Sequence, residues 1–317
     1  MAVRRSGAPG VVFLFGVGIL LAGYPGAAAA PWVGLVVSPG ASSYTISADS
    51  ISANLNPGIA VHRVDLESGT DPEVLAQLLQ RRPRAIVAVG SLAVREVRES
   101  GTAVPLVYAM VLDPASLDLP VPGDLDITGA TGVSMSIPLE AQFAAMRTMF
   151  PRGRRIGVLY DPEKSAAVIE RAREVAGEFD FDLIAQEVHS EGEVLSTARL
   201  LLSRVDGMWG VADSTVLTFS NARMLLLACL RSRRPFFGIS ESYVRTGALA
   251  AIAADPAAVG RRAAEMARHI AQGGEVADLP PENPPEFEVF FNRSTAGRLG
   301  LDTPENVLGQ KPHEVGR

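Results

Sequence analysis

Asp213 is the residue in this chain whose type and position point most sharply to chemistry. It ends the apolar run 208–212, and Ser214 and Thr215 follow it. A carboxylate there caps the next helix or binds a cationic ligand group, and the residues alone leave both readings open. Four other apolar runs end in the same way. Run 85–89 leads into Gly90-Ser91, 106–112 into Asp113-Pro114, 156–159 into Tyr160-Asp161, and 236–239 into Ser240-Glu241. Ser91 and Ser134 suit the other end of a zwitterion, because a hydroxyl beside free N–H groups at a helix start holds a carboxylate. Asp161 and Glu163 are spaced like paired carboxylates, but Asp-Pro-Glu at a helix start reads first as capping. Ser42, Ser43 and Tyr44 are either ligand contacts or an ordinary polar loop.

Other chemistries lack their residues. There is no GxGxxG after the first strand, no GxxxxGK[ST] and no GxSxG. His62, His189, His269 and His313 are scattered without ligand spacing, so no metal site and no cofactor is expected. No nucleophile–base pair is visible, so no catalytic residue is assigned. The formal charge of -6 argues against nucleic acid as a partner. The single cysteine, Cys229, lies in an apolar helical stretch and reads as a buried side chain.

The elements that position these residues alternate. Parallel strands buried on both faces read as continuous apolar runs, and helix-like segments follow them. Strands are expected at 33–37, 61–66, 85–89, 106–112, 156–160, 183–188, 208–212, 236–239, 248–253 and 287–291. Helices are expected at 71–80, 92–99, 138–150, 165–179, 193–202, 217–231, 256–272 and 294–299. Asp71 and Asp255 are placed to cap. Residues 38–56 read as a polar stretch, and 113–127 as a surface loop. In open α/β sheets ligands bind at the carboxyl ends of the strands, where the polar residues gather here. A break near 128–138 favours two α/β lobes over one large sheet.

The N-terminus has the pattern of a secretion signal. Arg4 and Arg5 precede an apolar stretch, 11–22, and small residues follow at 26–30. Residues 1–30 are expected to be a signal peptide cleaved near Ala29 or Ala30, the other reading being an uncleaved anchor. Tyr24 stands where a lipoprotein signal needs Cys, so lipid attachment is not expected. The mature protein should be periplasmic, with no stable membrane insertion.

These residues, in this order, resemble the ABC transporter substrate-binding proteins of the tryptophan/tyrosine type, which are periplasmic-binding-protein-like. The resemblance is carried by Gly90-Ser91-Leu92-Ala93, Pro105-Leu106-Val107 leading to Leu112-Asp113-Pro114, and Thr131-Gly132-Val133-Ser134. It continues through Ile156-Gly157-Val158-Leu159-Tyr160, Asp213-Ser214-Thr215-Val216, Gly247-Ala248-Leu249 and Gly260-Arg261, and ends with Phe291-Asn292, Ala296 and Leu299-Gly300-Leu301. It implies an α/β fold of the type I periplasmic-binding-protein kind, with two Rossmann-like lobes, parallel sheets and a ligand cleft between them. The implied cleft residues are Ser91, Met110, Asp113, Ser134, Tyr160, Asp213 and Ser214, with Ser240 and Glu241 beside them. Residues 38–60 depart from the family pattern, and the resemblance implies that they form one wall of that cleft.

The expected arrangement places residues 31–135 and 241–275 in lobe one, and 136–240 and 280–317 in lobe two. The expected function is non-enzymatic. A small organic solute, an amino acid or related compound, is clamped between the lobes and delivered to an ABC permease. The alternatives are a periplasmic ligand sensor feeding a sensor kinase, and a secreted α/β enzyme.

Overall fold

The computed structural model describes residues 31–55, 58–67, 72–124 and 127–315. The expected signal peptide and the expected cap at Asp71 lie outside the described residues. The described residues gather into one compact unit.

The chain first builds a parallel sheet from β1 (Trp32–Val37), β2 (Ala60–Asp65), β3 (Ala85–Val89), β4 (Leu106–Val111) and β5 (Ala130–Ser134), in the order β2-β1-β3-β4-β5. Its helices are α1 (Ser42–Leu55), α2 (Pro72–Gln80) and α3 (Ser91–Glu99). β3 and β4 are buried at every position, as their unbroken apolar sequences require.

After α4 (Leu139–Met149) comes a second sheet with seven strands. The elements follow as β6 (Arg155–Tyr160), α5 (Pro162–Glu178), β7 (Asp182–Glu187), α6 (Val194–Leu202), β8 (Gly207–Trp209), α7 (Phe219–Arg231), β9 (Phe236–Gly238), α8 (Glu241–Thr246) and β10 (Ala250–Ala254). Then come α9 (Pro256–Ala271), β11 (Phe287–Asn292), α10 (Arg293–Leu299) and β12 (His313–Val315). The strand order is β12-β11-β10-β9-β8-β6-β7, and β11 runs antiparallel to β10.

Three differences from the sequence expectation bear on how the sheets are assembled. Residues 42–55 form α1, where a polar stretch was expected. Its buried face is Ser47, Ala48, Ile51 and Leu55, too small to give an apolar signal. It packs on α9 at close range: a Cβ on Gly260 would lie 2.4 Å from the Ser47 carbonyl oxygen, and Ser50 Oγ donates to the Ala257 carbonyl at 2.8 Å. Only a residue without Cβ permits that approach. Residues 130–134 form a strand inside the expected break. The third difference is a correction to the lobe boundaries. Residues 241–254 belong to the second sheet, because β10 inserts between β9 and β11. A buried apolar strand carries no mark of which sheet it will join. Asp255, which caps α9 through Ala257 N and Ala258 N, stands at the change of sheet, and α9 returns to the first sheet. Residues 279–282 then run beside β5, with Glu282 N donating to the Gly132 carbonyl and Thr131 Oγ1 to that of Leu279.

Candidate ligand-binding site

A cavity of about 610 Å³ opens at the carboxyl ends of strands from both sheets. From the first sheet come Leu112 and Asp113 after β4, and Met135–Leu139 after β5. From the second come Trp209 at the end of β8 with the three residues after it, Gly238 at the end of β9 with Ile239, and one face of α5. Its size falls in the range of small-molecule sites. The apolar part of the lining includes Trp209, Val168, Ile239 and Ile252.

Two local devices shape the first-sheet wall. Met110 adopts φ +57° where the β4–β5 register shifts between Ala109 and Val111, a bulge that turns the strand end toward Asp113. Met110 itself is buried behind the wall. Ser136 Oγ donates to the Leu112 carbonyl at 2.8 Å, and Ser134 Oγ accepts from Ser136 N at 3.2 Å. Ser134 therefore supports the wall from within, fully buried. Asp113 is exposed and has no ion-pair partner among the described residues.

The second-sheet wall is built on a charged network. Asp213 is buried, and protein donors occupy both of its oxygens. Oδ2 accepts from Asp161 N and Ser165 Oγ, both at 2.8 Å. Oδ1 accepts from Thr215 N at 2.9 Å and Val216 N at 3.1 Å. A carboxylate has about four acceptor directions, so this one is filled. The geometry shows Asp213 tying the β8–α7 loop to the start of α5. Asp161 caps α5 through Glu163 N, as expected of Asp-Pro-Glu, and its Oδ2 accepts from Thr215 Oγ1 at 2.6 Å. The Thr215 bond, ahead of other causes, holds the Asp161 carboxyl below its ordinary pKa. Thr215 Oγ1 in turn accepts from Lys164 Nζ at 2.6 Å. The network thus fixes an ammonium on the cavity wall, with its side chain 43 % exposed.

Lys164, Ser165, Val168 and Arg171 share one face of α5 and line the cavity. Arg171 is paired with Glu140 and Glu174, at 3.2 and 2.8 Å. Opposite, Trp209 Nε1 donates to Gln142 Oε1 at 2.9 Å, while Gln142 Nε2 donates to the Ile137 carbonyl at 2.8 Å. These bonds tie α4 and the residues just before it to β8. The sequence reading missed this α5 face, although its i, i+4, i+7 spacing is present in the sequence.

Of the sequence-predicted residues, Asp113 lines the cavity, while Met110, Ser134 and Asp213 hold its walls. Tyr160 OH donates to Glu187 Oε1 at 3.0 Å, away from the cavity lining, and burial pushes its phenol up. Ser91, Ser214, Ser240 and Glu241 do not line the cavity either. Ser91 starts α3 behind Gly90, while Ser38 Oγ accepts from Ala93 N at 2.9 Å. Ser240 Oγ lies 2.8 Å from Ser242 Oγ, and Glu241 pairs with Arg245 at 2.5 Å.

The arrangement suits binding of a small charged or zwitterionic molecule. Among the described residues no group of three or more His, Cys, Asp or Glu side chains could hold a metal ion. Cys229 is buried, which raises its thiol pKa to about 12.

The chain is 19 % identical over 234 residues to a tyrosine-binding protein of Clostridioides difficile, a match covering 73 % of this chain and 67 % of that protein. Two solved structures share its fold over 90 % of this chain and 99 % of theirs. One is an ABC domain from Streptococcus pneumonia in complex with L-Trp, at 22 % identity and TM-score 0.66. The other is a ligand-free, open substrate binding protein with adhesive properties from Clostridium difficile, at 17 % identity and TM-score 0.73. The α/β fold with two parallel-dominated sheets, of the type I periplasmic-binding-protein kind, is thereby shown. Residues 65–315 match the family described as ABC transporter substrate binding protein, and the chain belongs to that family.

Proposed function

We propose that this protein is a non-enzymatic, exported binding protein that clamps an amino acid between its two sheets and hands it to an ABC permease. The observation that carries this is the 610 Å³ cavity, whose walls come from strand ends of both sheets. A ligand that bridges two lobes favours the closed form only when the cleft is filled. Lys164 supplies the cation for the carboxylate, and Asp113 the anion for the ammonium. The apolar lining takes the side chain, and the relatives that bind tyrosine and L-Trp support an aromatic one. The N-terminal pattern of Arg4-Arg5, residues 11–22 and residues 26–30 supports export with removal of the leader.

Calorimetry with L-Trp, L-Tyr, tryptamine and tyramine tests the reading. The amino acids should bind, the decarboxylated amines should bind at least about tenfold more weakly, and small-angle scattering should show a smaller radius with L-Trp or L-Tyr bound. Binding of neither amino acid, or their chemical conversion over hours, would refute it.

A further inference from the structure

A second surface stands apart from the cavity, on α6 and α7, which pack side by side against the second sheet. Four of the seven large exposed hydrophobic side chains among the described residues lie there: Leu200 is 73 % exposed, Phe219 93 %, Leu227 47 % and Met224 38 %. Neither helix contains an Asp or a Glu, in a chain that carries 35 of them against 29 Lys and Arg. Arg199, Arg223 and Arg231 share the exposed side, and none has an ion-pair partner among the described residues. Of the neighbouring carboxylates, Glu193 accepts from His189 N and Ser190 Oγ and Glu241 is bonded to Arg245, while Glu191, whose carbonyl accepts from Asn221 Nδ2, is exposed beside the start of α7.

We infer that this face docks reversibly on an anionic lipid bilayer. Exposed apolar side chains ringed by unpaired arginines are the chemistry of an interfacial surface. Each cation near an anionic leaflet adds attraction that salt weakens. Shape favours lipid over a protein socket. Grooves of about 640 and 300 Å³ flank α7 and share Leu227, so α7 is a ridge. Leu200 on α6 and Phe219 at the start of α7, which also lines the larger groove, are the most exposed of these side chains, and a deformable interface accepts such tips without a matching hole. No helix among the described residues is long and apolar enough to cross a membrane, so the contact is peripheral. Docking would concentrate the binding protein at the surface where a permease resides.

The test uses the full chain with Phe219→Trp as a local reporter, which reads this face whatever the N-terminal segment does. It is mixed with vesicles of phosphatidylcholine plus phosphatidylglycerol, and with vesicles of phosphatidylcholine alone. The expected result is a blue-shifted emission, quenched by brominated lipid, on the anionic vesicles. Apparent affinity should fall about tenfold or more on neutral vesicles, at high salt, or when Arg199, Arg223 and Arg231 are all replaced by Gln. An unshifted reporter on anionic vesicles overturns the proposal. So does an equal shift on neutral vesicles, or a shift that follows protein concentration without vesicles, which would mark this face as a self-association surface.

Discussion

Each sheet has one place where the strand order reverses: between β1 and β3 in the first, and between β6 and β8 in the second. Ligands of open α/β sheets gather at such places. The two edges are built from opposite materials. At the first, Ser38, Tyr44, Gly90 and Ser91 meet, and none carries a charge. Gly90 has φ +85°, and a Cβ there would lie 2.7 Å from Ser38 Oγ and 3.0 Å from the Tyr44 ring. That edge is held by close approach. At the second, Asp161, Lys164, Ser165, Asp213 and Thr215 are cross-linked by hydrogen bonds of 2.6–2.9 Å. That edge is held by charge, and what it offers the cavity is an ammonium. An acidic residue at a strand end is therefore weak evidence for a ligand cation until its donors are counted.

The sharpest way to break this contrast is Asp213→Ala. It strands two backbone N–H groups, the N–H of Asp161 and the Ser165 hydroxyl inside the protein. Stability in urea should fall by about 3 kcal/mol or more, since buried donors lose a charged acceptor. Asp213→Asn keeps one carbonyl oxygen and should fall between that variant and wild type. A variant as stable as wild type that has lost ligand affinity would return Asp213 to the role of ligand contact. Gly90→Ala probes the other edge. It forces a side chain into positive φ and into Ser38, so a cost of about 2 kcal/mol is expected by the same measurement. A neutral outcome would mean that this edge is loose.

Next in size is Lys164→Met. It keeps the alkyl stem and removes the ammonium at the cavity wall. Affinity for L-Trp or L-Tyr should fall about tenfold, roughly 1.4 kcal/mol, while affinity for tryptamine or tyramine stays unchanged. Equal losses for the acid and the amine would show that the stem, not the charge, makes the contact.

Much of the frame was legible because its signals are local. The buried strands announced themselves as apolar runs, and the Asp255-Pro256 start of α9 as a cap. What escaped depends on partners distant in sequence. α1 hides its packing face in Ser47 and Ala48, whose fit is set by Gly260 more than two hundred residues later. β10 has an apolar sequence that would serve in either sheet. Among the site residues, Asp113 was legible from its strand end. Lys164 was not, because its position is fixed by Thr215 and Asp161, and by Asp213 behind them. Ser91 and Ser240 share the strand-end pattern without lining the cavity, since the pattern marks an edge and not the direction in which a side chain points.

The finest test of the contrast is acid. The Asp161 carboxyl is held below its ordinary pKa of 3.8, first by the Thr215 hydroxyl, then by Glu163 N and the Lys164 charge. A carboxyl whose folded pKa is depressed takes up its proton at lower pH in the folded state than in the unfolded state. Its contribution to stability is therefore complete above pH 3.8 and is lost as pH falls further, through the folded value. The first edge has no carboxylate among Ser38, Tyr44, Gly90 and Ser91, and burial pushes the Tyr44 phenol upward, far from this window. Below about pH 4, hydrogen exchange corrected for intrinsic rates should speed up at residues 161–165 and 213–216 before it does at 38–44 and 90–93. Asp161→Asn should remove most of that difference, because the amide oxygen still accepts from Thr215 but no longer titrates. If both edges lose protection together in the wild type, the network around Asp161 is not what makes the second edge distinct.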